Sequence, residues 1–169
     1  MSNYKKHFRI ADEMITHLNT VINNINDPFI ASRYVGFVSI AAVSVYELSV
    51  KEIFIEFARK KNKVFGEYAS TQFKKINGRI KQEQIRNEYI KRFGRKYILR
   101  FDKKFELLEK KSINTDNQSI KSAYSSIIDI RNSFAHAGEV PYTVTYNEVV
   151  KYYEIGKKMI ICLADTMVR

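Results

Sequence analysis

Ser119-Ile-Lys-Ser-Ala-Tyr-Ser-Ser-Ile-Ile-Asp-Ile-Arg-Asn-Ser-Phe-Ala-His-Ala-Gly138 is the stretch on which the fold turns. At about 100° per residue, Ile120, Ala123, Ile127, Ile130 and Phe134 fall on one apolar stripe of a helix. Tyr124, Ile128 and Ala135 widen that face, and Arg131 sits inside it, where a leucine would be expected. Ser125, Asp129, Asn132 and His136 form a second, polar stripe on the opposite side. A helix from about Ser119 to Ala135 follows, with Gly138 and Pro141 as its stop signals.

The same period governs the rest of the chain. Downstream, Thr145-Tyr-Asn-Glu148 reads as a capping box opening a last helix to about Val168. Val140–Thr145 is the only strand-like stretch, too short and unpartnered to define a sheet. Upstream, residues 112–118 read as a polar loop. Near the start, Phe8, Ala11, Ile15, Leu18, Ile22 and Ile25 step by threes and fours along a first helix. Asp27-Pro28 then gives an N-cap followed by proline at the first helical position. The helix it opens runs to about Lys61 and is apolar on nearly every side from Val35 to Val50, which predicts the central helix of the fold. The middle of the chain reads as three shorter helices, broken near Gly78 and Gly94.

Composition narrows the possibilities. The 169 residues suit one domain. Two prolines and six glycines are too few for an all-β sandwich or barrel. The single Cys162 can form no internal disulfide, and with three histidines a Cys- or His-rich metal cage is not expected, nor is any other cofactor. The start lacks the apolar core of a signal peptide, and the nearly uncharged run Tyr34–Val50 is short for a membrane span, so the expectation is a cytoplasmic protein with no membrane partner.

The formal charge is +11. Residues 51–111 hold 19 Lys+Arg against 8 Asp+Glu, and the remainder balances 10 against 10. The whole excess therefore lies in the middle third, whose natural partner is a polyanion, at near-neutral pH usually a nucleic acid. Lys74, Lys75, Arg79, Arg86, Arg92 and Arg95 are the candidate RNA-binding residues. The aromatics interleaved with them (Phe65, Tyr68, Phe73, Tyr89, Phe93, Tyr97, Phe101, Phe105) are expected to pack inward. No helix-turn-helix spacing marks a base-reading helix, which weakens a DNA-binding reading.

Two charges stand out among apolar neighbours. Glu47 is the only charge between Arg33 and Lys51 on the central helix. A buried carboxylate needs a cation or a set of donors, and a half-buried guanidinium needs a carboxylate or a phosphate. Glu47 and Arg131 are therefore expected to bond each other, directly or through one water. The competing reading of each is structural: an ion pair for Glu47, and capping of the helix end for Arg131 and His136.

Arg131-Asn-Ser-Phe-Ala-His136 resembles the Arg-x4–6-His motif of the HEPN superfamily, in which a polar residue commonly follows the arginine, as Asn132 does here. The text from Ile127 to Gly138, then Thr143–Val149 and an amphipathic helix, is similar to the RiboL-PSP-like branch, as is a long apolar helix with one Glu after Tyr46. The resemblance spans residues 1–61 and 119–168. It implies an all-α, HEPN-like helical bundle: one domain over 1–169, with 51–111 as a basic helical insertion or connection. It also implies a metal-independent endoribonuclease in a toxin or phage-defence system, a possible cognate antitoxin, and a homodimer whose protomers share a composite active site. The alternative is a non-catalytic HEPN module that binds RNA or nucleotide, or dimerises within a complex.

The residues suit that chemistry. RNA is cut without metal when its 2′-OH attacks the adjacent phosphate, which needs a proton-transfer group and a cation for the phosphorane. His136 suits the first role and Arg131 the second. Asn132, one turn before His136, could orient the imidazole or bind phosphate, and Glu47 would fix the guanidinium. Residues five apart diverge by about 140° on a straight helix. Arg131 and His136 converge within one chain only if the helix ends near Ala135. Otherwise two copies of the motif must meet across a dimer.

Overall fold

A computed structural model describes residues 3–167, and among these there are seven α-helices and no strand. The first helix, α1 (Lys5–Val21), buries Phe8, Ala11, Ile15 and Leu18, the stripe expected from the sequence. A 3₁₀ turn, Ile22–Asn24, leads to α2 (Pro28–Lys61). The Asp27 carboxylate accepts the N–H of Phe29 at 2.8 Å, so the proline and its cap open the helix as the sequence predicts.

At 34 residues, α2 is about 50 Å long. By length and composition it could cross a membrane. It packs against α1, α3 (Lys63–Phe73), α6 (Ile120–Ala137) and α7 (Tyr146–Thr166), as the core helix of a bundle does. Asn62 is the only residue between α2 and α3, and its side chain accepts from Val64 and Phe65 N–H at 2.8 and 3.3 Å. The chain reverses there. Phe73 stacks on Phe54 with ring centroids 4.6 Å apart, so α3 runs back antiparallel to α2.

The basic middle breaks where the sequence places the breaks. A loop follows α3 and carries Gly78 in the left-handed region at φ 71°. Then come α4 (Gln82–Gln84), a π-helical turn (Ile85–Tyr89) and a 3₁₀ turn (Ile90–Phe93), and Gly94 leads into α5 (Arg95–Asp116). Phe73, Tyr89, Tyr97, Phe101 and Phe105 are buried, while Phe65 and Tyr68 are exposed.

Two local expectations are corrected. Residues 112–118 are not a loop: α5 continues to Asp116 and stops at Asn117, which takes the left-handed conformation at φ 52°. Ser112 is buried there, its hydroxyl donates to Asp116, and Asp116 also binds Lys158 of α7. That tertiary contact outweighs a polar, helix-poor sequence. The fourth major helix also runs past Ala135, as α6, and ends only at Gly138, whose φ of 68° suits a glycine cap. The α7 capping box forms as expected, with Glu148 accepting the Thr145 N–H at 2.8 Å.

Three tyrosines centre the core. Tyr46 of α2 stacks between Tyr124 of α6 and Tyr153 of α7, at centroid distances of 5.3 and 5.8 Å. Each buried hydroxyl finds an acceptor: Tyr46 the Tyr153 carbonyl at 2.6 Å, Tyr124 the Ile80 carbonyl at 2.8 Å, and Tyr153 the Asp12 carboxylate at 2.8 Å. Cys162 is buried in α7, and burial pushes its thiol up to about 12.

Candidate active site

The motif helix α6 starts on two caps. The Ser119 hydroxyl accepts from Ser122 N–H, and Glu109 of α5 accepts from Ile120 N–H at 2.8 Å. At its other end, Arg33 donates to the Gly138 carbonyl, and Phe134 meets Phe37 edge-on at 5.7 Å. The C-terminal half of α6 is thereby fixed against the N-terminal half of α2. Ala123, Tyr124, Ile127, Ile128 and Ile130 are buried. Ser125, Asp129 and His136 are exposed and Asn132 is half-buried, so the polar stripe faces outward as expected.

Because α6 is helical through Ala137, Arg131 and His136 point about 140° apart. Arg131 and Ala135, one turn apart, line a cleft of about 430 Å³ whose other walls include Ser44, Glu47, Asn77 and Gly78. His136 and Asn132 lie on the other side of the helix. One protomer therefore separates the two groups that a phosphoryl-transfer site would combine.

The expected bond between Glu47 and Arg131 does not form. The Glu47 side chain is 20% exposed rather than fully buried. One of its oxygens accepts from Lys51 Nζ at 2.6 Å, one turn along α2, and the other accepts the Gly78 backbone N–H. Two donors at close range satisfy the carboxylate without the arginine. Arg131 instead lies over Gly78: a β-carbon there would stand 2.9 Å from Nη2. Among the described residues, the Arg131 guanidinium has no hydrogen bond and no carboxylate within 4.0 Å. It is held by packing, and its donors are open to the cleft.

The loop under Arg131 is anchored at three points. Besides the Glu47–Gly78 bond, Tyr89 donates to the Arg79 carbonyl at 2.7 Å and Tyr124 to the Ile80 carbonyl at 2.8 Å. Asn77 and Gly78 are site residues that sequence reasoning missed. Asn77-Gly78 is a strong turn dipeptide between Lys75 and Arg79, which read only as a helix break. Nothing in the local sequence says that this turn lands beside Arg131.

The candidate RNA-binding residues fall in two groups. Lys74, Lys75 and Arg79 are exposed around the anchored loop, with Arg79 reaching Glu88 at 3.3 Å. The other three lie farther along the chain. Arg86 makes a two-pronged bond to Asp102, 2.7 Å on each arm, which occupies its fork and raises its pKa further. Arg92 lies over the Tyr89 ring, and Arg95 is exposed. Among the described residues, no three His, Cys, Asp or Glu side chains cluster in a way that could hold a metal.

The central helix also departs from expectation. It is apolar on nearly every side, yet one side is only partly covered among the described residues: Phe37, Ile40 and Leu48 are 47%, 38% and 41% exposed. Phe29 and Ile30 extend this stripe toward the helix start. Four packed helices leave one face of α2 uncovered, and that face flanks both the cleft and the His136 end of α6.

This architecture, an all-α bundle whose penultimate long helix carries Arg131-Asn132 and His136 beside a cleft, defines a HEPN domain. The family model of the RiboL-PSP-HEPN domain matches residues 5–169, and the chain belongs to that family. The family is associated with nuclease and RNA-related functions. No curated protein and no solved structure shows significant similarity to the chain.

Proposed function

We propose that the protein is a metal-independent endoribonuclease, active as a homodimer with a composite site. The observation that carries this reading is Arg131: a guanidinium without a carboxylate, fixed at the wall of a cleft, on the helix that carries His136. A phosphate fits that vacancy in the charge balance. The uncovered stripe of Phe37, Ile40 and Leu48 supports pairing, since a second copy laid against it would set two motif helices side by side.

In such a dimer, the 2′-OH attacks phosphorus, forming the 2′-O–P bond and breaking the P–O5′ bond. The His136 of one protomer, beside the Arg131 of the other, takes the 2′-OH proton and then delivers it to the departing 5′-oxygen. Arg131 stabilises the charge on the phosphorane, and Asn132 orients the imidazole or binds the phosphate. The products are a 2′,3′-cyclic phosphate and a 5′-OH. A cytoplasmic toxin or phage-defence role, with a cognate antitoxin, completes this reading.

The test is cleavage of RNA in EDTA, with end-group analysis. Wild-type protein cuts and His136→Ala does not, while both bind RNA. A strict need for Mg²⁺, or wild-type cleavage by His136→Ala, refutes the mechanism. The alternative, a non-catalytic HEPN module binding RNA or nucleotide, is favoured by one observation: the separation of Arg131 from His136 within a protomer. Binding by wild type without cleavage would select it.

A further inference from the structure

The outer face of α3 connects two basic regions. Gly66, Ala69 and Phe73 face inward, so Val64, Tyr68 and Thr71 project outward, one below the next, and the exposed Lys75 follows in the turn after the helix. Val64 is 78% exposed and Tyr68 61%, an unusual display of large side chains on a helix with a covered inner face. At the Lys75 end lies the anchored Asn77–Gly78 loop, and so the cleft with Arg131. At the Val64 end lies the turn between α2 and α3, with Lys60, Lys61 and Lys63.

That far end is rigid. Phe65 of α3 meets Phe93 at 5.7 Å, and Phe93 meets Phe57 at 5.3 Å. Phe57 in turn meets Tyr97 at 5.2 Å. Lys61 stands over Phe57 and Lys96 over Tyr97, at 5.4 and 5.0 Å. Among the described residues, Lys60, Lys61, Lys63 and Lys96 have no carboxylate within 4.0 Å. The one acid on the outer face of α3, Glu67, pairs with Arg59. The face is thus a fixed aromatic and aliphatic strip between unneutralised cations, running about 20 Å along α2 from Glu47 to Lys60.

We propose that this face is a binding track for single-stranded RNA, leading away from the cleft. Lysines at both ends hold the backbone, and Tyr68, with the exposed edge of Phe65, stacks unpaired bases. The track rests on the ribonuclease reading for its role, which is to hold substrate beyond the scissile phosphate. A single strand is favoured over a duplex because an exposed ring can stack only on an unpaired base. It is favoured over a lipid surface because the strip carries only Val64, Tyr68 and the edge of Phe65, a small apolar area for interfacial insertion.

The experiment measures binding by fluorescence anisotropy of a mixed-sequence, single-stranded 2′-O-methyl oligoribonucleotide, which lacks the attacking hydroxyl. Its duplex and phosphatidylserine vesicles serve as comparisons. Tyr68→Ala weakens single-strand binding by about tenfold, in the range of one lost stacking contact. Tyr68→Phe restores it, and duplex binding stays unchanged. Replacing Lys60, Lys61 and Lys63 with Ala reduces the slope of log K against log salt by up to about 2, near 0.7 per lost contact. Unchanged single-strand binding by Tyr68→Ala, equal losses for duplex, or binding of vesicles in place of RNA overturns the track. The two readings fail separately: a track variant that binds like wild type in an enzyme that cuts RNA removes only the track. Tyr68-dependent binding by a protein that never cuts removes only the nuclease.

Discussion

Glu47 and Arg131 meet at Gly78 and not at each other. The carboxylate accepts the Gly78 N–H from one side, and the guanidinium lies over the same residue from the other. Lys51 holds the carboxylate in place at 2.6 Å. Glu47 and Arg131 are therefore linked only through the Gly78 backbone.

Gly78→Ala is expected to displace Arg131 without any change in charge. A β-carbon would stand 2.9 Å from Nη2, and φ 71° costs an alanine about 1–2 kcal/mol. Cleavage falls while the far-ultraviolet circular dichroism of the helices remains. Wild-type kcat in this variant would separate Gly78 from the site.

Glu47→Ala strands the half-buried Gly78 N–H and costs about 1–3 kcal/mol in denaturant unfolding. Glu47→Gln retains an oxygen acceptor for that N–H and costs less. If the loss of activity tracks the loop, the glutamine variant cleaves faster than the alanine variant. Equal activity in the two would show that the negative charge matters and the loop bond does not.

Arg131→Ala and His136→Ala are each expected to be inactive alone. Mixed, unfolded together and refolded, they form heterodimers in which an intact Arg131 of one protomer joins an intact His136 of the other. Activity then returns. A mixture as inactive as its components would mean that each chain builds its own site.

Ile30→Asp and Leu48→Asp place charge on the uncovered stripe of α2, clear of the cleft that Ile40 lines. Both positions are exposed within the protomer, so helicity and unfolding of the protomer change little. Sedimentation is expected to shift from dimer to monomer, and cleavage to fall with it. A dimer that survives both substitutions would move the interface elsewhere.

Acid unfolding offers an independent check of the α5–α7 contact. Lys158 and Ser112 hold the Asp116 carboxyl below its ordinary value. A carboxyl with a lowered folded pKa stabilises above its unfolded pKa, near 4, and that stabilisation fades as pH falls toward the folded value. Asp116→Asn is expected to lower the melting temperature at pH 7 and to flatten the decline below about pH 4. An acid limb as steep as wild type would assign it to other carboxylates.

Local patterns carried much of this molecule. The period of α1, the Asp27-Pro28 start of α2, the capping box of α7 and the glycine stop of α6 are each written within a few residues, because helix geometry couples positions three and four apart. The same periodicity separated the Asn132–His136 face of α6 from its buried face. Tertiary structure decided what depends on distant partners. It gave Glu47 the Gly78 N–H beside its local Lys51 partner, carried α5 through a polar segment to Asp116, brought the Asn77–Gly78 turn beneath Arg131, and left one face of α2 partly bare. A composition reads only how apolar a helix is. Which of its faces another helix covers is set by the reversal at Asn62 and by packing between residues far apart in sequence.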